Sequence, residues 1–124
     1  MKFAHRVDTY EIKIYMGLRE GYDGEVYPLP LVESLLQAYC DAEGFCVTLE
    51  PTEFIYTSGN EPGCVIGIIN YPRFPKTKAD LQFKAFEIAH MLLKETKQYR
   101  CSVVASDYTW LLENEDLVGN EGDH

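Results

Sequence analysis

The chain has 124 residues, 46% of them hydrophobic, and a formal net charge of −9. That is material for one core and not for two. The charge opposes direct contact with a nucleic-acid backbone, which needs a surplus of lysine and arginine, and permits the opposite role of presenting carboxylates to a basic partner. No stretch approaches the roughly 18 apolar residues of a membrane span, and residues 1–6 lack the apolar region of a signal peptide, so a cytoplasmic protein without a membrane partner is expected. Cys40, Cys46, Cys64 and Cys101 include no CxxC pair, so neither a metal site nor a disulfide is expected and no cofactor is called for.

The first patterned segment alternates, with Tyr10, Ile12, Ile14, Met16 and Leu18 on one face and Glu11, Lys13, Tyr15 and Gly17 on the other. A period of two makes a half-buried strand. Residues 19–25 are rich in glycine and charge and read as a loop. Helical spacing follows, carrying Val32, Leu35, Leu36, Tyr39 and Cys40 on one stripe, with Pro30 suited to the first turn and Gly44 to the C-terminal cap. Phe45, Val47 and Leu49 alternate as a second strand, which Pro51 interrupts before residues 54–56, predicting a bent edge strand or two short ones.

A turn over residues 57–63 leads into the continuous apolar run at residues 64–69, expected as a central strand. After an irregular connection comes a helix. Thr77 and Asp80 form its capping pattern, and Leu81, Ala85, Ile88, Ala89 and Leu92 its buried stripe. A strand from Arg100 through Ala105 closes the pattern, and a further extended piece is expected at residues 108–112. Residues 1–113 are read as a single domain and residues 114–124 as an acidic, disordered tail.

The order strand, helix, strand, strand, helix, strand matches an α+β, ferredoxin-like split βαβ fold (βαββαβ): a four-stranded antiparallel sheet with two helices on one face. Its first and third strands are expected side by side and parallel at the centre. The face without helices carries alternate residues of the apolar run, an aliphatic patch that predicts self-association.

With parallel central strands, the loops after them would meet at one edge. The first brings Arg19, Tyr22 and Asp23; the second brings Asn70, Arg73 and Lys76, beside Lys78 at a helix N-terminus. These six residues are the candidate ligand site, and the cations favour an anion such as a phosphate or carboxylate. The glycines at 17, 21 and 24 lack the lysine and serine or threonine of a phosphate loop. His90 reads as a packed or surface histidine and the acidic residues Glu20, Asp23 and Glu25 as a solvated loop, and no nucleophile–base pair stands out, so no catalytic residue is assigned. The expectation is a non-catalytic, homo-oligomeric protein that holds an anionic small molecule, such as a nucleotide. Its alternative is a small acidic inhibitor of the phage anti-defence type, which masks the basic surface of a nucleic-acid-binding partner.

Overall fold

The structure, a computed structural model, describes residues 1–21 and 23–118. Five strands form one sheet in the order β2-β3-β1-β4-β5, and every neighbouring pair is antiparallel. The strands are β1 (Glu11–Gly17), β2 (Thr48–Tyr56), β3 (Gly59–Ile69), β4 (Arg100–Ala105) and β5 (Thr109–Glu113). With them run α1 (Leu29–Glu43), α2 (Lys78–Glu95) and the single turn α3 (Glu115–Val118). The fold is α+β, with an antiparallel sheet of five strands where four were expected. The added strand is the extended piece after Ser106, which hydrogen-bonds to β4 from Arg100↔Glu113 to Val104↔Thr109.

The alternation in β1 is realised in full: Tyr10, Ile12, Ile14, Met16 and Leu18 are all buried. They meet Cys64, Ile66 and Ile68 of β3, Cys101 and Val103 of β4, and the helix residues Val32, Leu36, Leu81, Ala85, Ile88 and Leu92 in one cluster. Burying a side chain of this size contributes about 1.5–3 kcal/mol, so this layer is the main source of stability. Thr77 caps α2 by accepting from the Asp80 amide at 3.1 Å, and Gly44 ends α1 in the left-handed conformation at φ 64°.

The arrangement of the central strands corrects the expectation that β1 and β3 run parallel. Their register runs from Glu11↔Ile69 to Gly17↔Gly63, which is antiparallel. The reason is in the connections: the hairpin after β2 reverses the chain, and β3 fills the place beside β1 in the opposite sense. The carboxyl ends of β1 and β3 therefore lie at opposite ends of the sheet, separated by a strand of seven residues, roughly 20 Å.

Three further expectations change. Pro51 does not break β2, which runs through it in pairing with Cys64; β2 is the outermost strand, where a missing backbone donor costs least. The hairpin turn is residues 57–58 alone, with Ser58 at φ 63°, and β3 starts at Gly59. Of the segment read as a disordered tail, residues 114–118 are folded, with Asn114 buried and its side chain donating to the Leu93 carbonyl at 3.1 Å. The rest of that segment lies outside the described residues.

The apolar run is buried on one side by the helices and differs on the other from the aliphatic patch expected. There Val65 is flanked by Gly63, Gly67 and the exposed Ile69, and by register it lies between Tyr15 and Glu50.

Candidate active site

The β2–β3 hairpin outruns the sheet. Its pairing with β1 stops at Gly17↔Gly63, while β2 and β3 continue together to Tyr56↔Gly59. Residues directly opposite in an antiparallel pair share a face, so Thr52, Phe54 and Tyr56 of β2 and Glu61 of β3 stand on the same side as Tyr15 and Gly17. That is the side without helices.

Glu61 is held there closely. Its Oε2 accepts from the Arg19 amide at 3.2 Å, and its carboxylate lies on Gly17, where an added Cβ would sit 2.2 Å from Oε2. Gly63 is as restricted, because a Cβ there would sit 2.3 Å from the Phe54 ring. The glycines of the open face are the places where the hairpin's own side chains lie down on the sheet.

Beside Glu61 opens a cavity of about 350 Å³, lined by Arg19, Gly21, Tyr56, Glu61, Gln98, Tyr99 and Arg100. Three segments build it: the loop after β1, the hairpin arm, and the turn from α2 into β4. The loop is braced by the Arg19↔Val26 bridge and by a 2.9 Å bond from the Glu20 amide to the Glu25 carbonyl. The turn is joined to the loop by Gln98, buried at 7% exposure, whose Nε2 donates to the Arg19 carbonyl at 3.0 Å and to that of Thr96 at 3.2 Å. Arg19 is thus fixed at both its amide and its carbonyl while its side chain lines the cavity. Arg100 also lines the cavity, its Nε 2.9 Å from Glu113. One glutamate, two tyrosines and two arginines are among its lining residues, a composition that suits a zwitterionic ligand with a flat ring.

The six residues expected to form one site are divided. Arg19 lines this cavity and Asp23 lies in its loop, exposed; Tyr22 falls outside the described residues. Asn70, Arg73 and Lys76 lie at the far end of the sheet, because β3 ends where β1 begins. Asn70 there braces the chain: its side chain donates to the Asp8 carbonyl at 3.1 Å and accepts from the Lys76 amide at 3.0 Å. Arg73 stacks over Phe74, and Lys76 over Phe45. His90 is exposed on α2, which decides between the packed and surface positions left open by the sequence.

Tyr56, Glu61, Gln98, Tyr99 and Arg100 were not singled out from the sequence. Glu61 falls inside a stretch that reads as a turn, and its place beside Gly17 depends on the pairing of β3 with β1, which spacing along the chain does not give. Among the described residues no cluster of three or more histidine, cysteine or acidic groups is placed to hold a metal ion.

No protein-family model matches this sequence, and neither does any curated protein. Solved structures do. A phage SAM lyase in the apo state superposes with a TM-score of 0.75 over 90% of this chain and 96% of its own, at 19% identity. A phage SAM lyase in complex with S-methyl-5'-thioadenosine superposes with a TM-score of 0.73 over 92% and 98%, at 18% identity. The likeness is one of fold, and it spans nearly the whole of both chains. It overturns the non-catalytic binding role expected from the sequence and, with it, the acidic inhibitor set beside that role: the structures that share this architecture are of an enzyme.

Proposed function

We propose that the protein is a lyase that cleaves S-adenosylmethionine to S-methyl-5'-thioadenosine. The observation that carries this reading is the coincidence of a lyase fold over nearly the full chain with a cavity that pairs a carboxylate with tyrosines and an arginine. The bond that breaks joins the sulfonium sulfur to Cγ of the methionine part. Its electron pair moves to sulfur, which becomes the neutral thioether. The substrate's own carboxylate oxygen closes on Cγ, giving homoserine lactone, so atoms balance with no water consumed. Such an internal displacement requires orientation above all, and orientation is worth several orders of magnitude in rate.

In this reading Glu61 holds the substrate ammonium and Arg19 draws its carboxylate into the cleft, while Tyr56 and Tyr99 present ring faces to the sulfonium and the adenine. The carboxylate is the anionic feature expected of a small-molecule partner. Because the whole substrate is a cation, a chain of net charge −9 attracts it. A cytoplasmic location accords with a substrate made inside cells, and no described helix is long and apolar enough to cross a membrane.

Self-association through the open sheet face belongs to the same proposal. The hairpin arm carries Tyr56 at 54% exposure beside the cavity, and Ile69 and Leu111 are exposed apolar residues of the face itself. A second copy would cover these groups and close the cleft. A ferredoxin-like ancestry of the sheet, with β5 as an addition at the edge next to β4, fits the order of elements.

The test is incubation of the purified protein with S-adenosylmethionine and chromatography of the products. Release of S-methyl-5'-thioadenosine with homoserine lactone is expected, and Glu61→Gln lowers the rate about 100-fold while the protein stays folded. Folded wild-type protein that leaves the substrate intact would sink the proposal.

A further inference from the structure

A second cavity, of about 220 Å³, lies at the end of the sheet away from the cleft. Ile69 at the end of β3 lines it, the connection to α2 supplies Tyr71, Phe74 and Lys76, and Phe45 comes from the turn between α1 and β2. Leu81 of α2, 1% exposed, lines it too. Glu61 and Ile69 stand eight residues apart on β3, roughly 25 Å, and no lining residue is common to the two cavities.

The walls are apolar and aromatic, with one exception. Among the described residues that line the cavity, Lys76 carries the only formal charge and no carboxylate is present. Its Nζ lies 5.9 Å from the centroid of the Phe45 ring, and the Arg73 guanidinium lies 5.4 Å from that of the neighbouring wall residue Phe74. Neither cation pairs with a carboxylate among the described residues. Lys84, the other cation over Phe45, is by contrast paired with Glu43 at 3.1 Å. Two cations without acidic partners, beside an apolar cavity in a chain of net charge −9, favour an anion there.

The walls are also braced. Asn70 donates to the Asp8 carbonyl at 3.1 Å and accepts from the Lys76 amide at 3.0 Å, while the Phe74 amide donates to the Tyr71 carbonyl at 3.0 Å. Phe45 meets Tyr39 edge to face with ring centroids 6.4 Å apart, and Tyr39 donates to Glu87 at 2.7 Å. A cavity held in this way costs a ligand little ordering. Phe74 and Ile69 nonetheless remain 59% and 41% exposed, apolar surface that an occupant would remove from water.

We propose that this cavity is a binding site for a small aromatic carboxylate. Its ring system packs among Phe45, Tyr71, Phe74 and Leu81, and its carboxylate meets Lys76, with Arg73 adding to the positive field. An apolar cavity of about 150 Å³ holds a benzene ring, so 220 Å³ admits two fused rings. Arg73 and Lys76 thus meet an anion without Arg19, at an end of the sheet that the lyase reading does not use.

The experiment titrates isotope-labelled wild-type protein with naphthoate, naphthylmethanol and naphthylmethylamine and follows the backbone amide resonances. Expected are shifts centred on Phe45, Ile69, Tyr71, Phe74 and Lys76, and naphthoate binding at least about tenfold tighter than the amine. Lys76→Glu should reverse that order, and the wild-type series decides the matter even if this variant does not fold. Absence of naphthoate binding at millimolar concentration, shifts centred on Arg19 and Tyr99, or equal affinity for the three compounds would each overturn the proposal. So would a folded Lys76→Glu variant that still prefers naphthoate. None of these readouts depends on turnover of S-adenosylmethionine.

Discussion

Glu61 and Gly17 show how one residue's placement is set by what its neighbour lacks. The carboxylate reaches the Arg19 amide because position 17 has no side chain in its path. Gly17→Ala would place a methyl group on the carboxylate, and since the atom displaced is the end of a flexible side chain, the strand survives. Stability should change by no more than about 1 kcal/mol, while the rate of thioadenosine release falls about as far as in Glu61→Gln. Unchanged kinetics in Gly17→Ala would mean that the carboxylate's resting place has no part in turnover. A second network lies at the other end of the sheet, where Tyr10 donates to Asp107 at 2.8 Å, Gln82 donates to Tyr10 at 2.7 Å, and Lys78 pairs with Asp107. The Lys78 and Tyr10 contacts hold the Asp107 carboxyl below its ordinary range. A depressed folded value means that the contribution to stability is present above about pH 4 and is lost as pH falls through the folded value. Asp107→Asn should therefore be less stable than wild type at neutral pH, with the gap closing only below about pH 4 in thermal melts taken across pH. A gap that persists undiminished at pH 2, or none at neutral pH, contradicts that role.

At the scale of elements, the last strand and the single turn after it are part of the body of the protein. β5 lengthens the sheet, and its Trp110 meets Phe86 of α2 edge to face at 5.1 Å. Asn114 then ties three segments together: its amide donates to Tyr99 at 2.8 Å, its side chain donates to Leu93 at 3.1 Å, and its Oδ1 accepts from Asp116 at 3.1 Å. Lys94 holds Asp116 from α2 at 2.6 Å. Asn114→Ala should cost about 1–3 kcal/mol in urea unfolding, because it strands buried polar groups. A variant as stable as wild type would show that α3 is not anchored. The anchoring also bears on the cavity, since Tyr99, which bonds to Asn114, is part of its wall.

At the scale of the molecule, the open sheet face and the projecting hairpin predict an assembly. Light scattering after size-exclusion chromatography should report more than one copy at micromolar concentration, and Leu111→Glu, which charges the open face, should shift the population to monomer with loss of lyase activity. A fully active monomer would separate the cleft from any second copy.

Sequence and tertiary structure contributed different things. The strand β1, both long helices, the caps at Thr77 and Gly44 and the apolar core of β3 were legible in the chain, because period, capping and turn chemistry are local, and here they agree with the burial observed. Which loops share an end of the sheet was not legible. It depends on the sense in which β3 enters beside β1, and one reversal after β2 moved Asn70, Arg73 and Lys76 a full strand away from Arg19. Nor could spacing along the chain reveal Glu61, whose partners lie 42 and 44 positions earlier, at Arg19 and Gly17. Pairing register decides which side chains meet across strands, and only the assembled sheet sets that register.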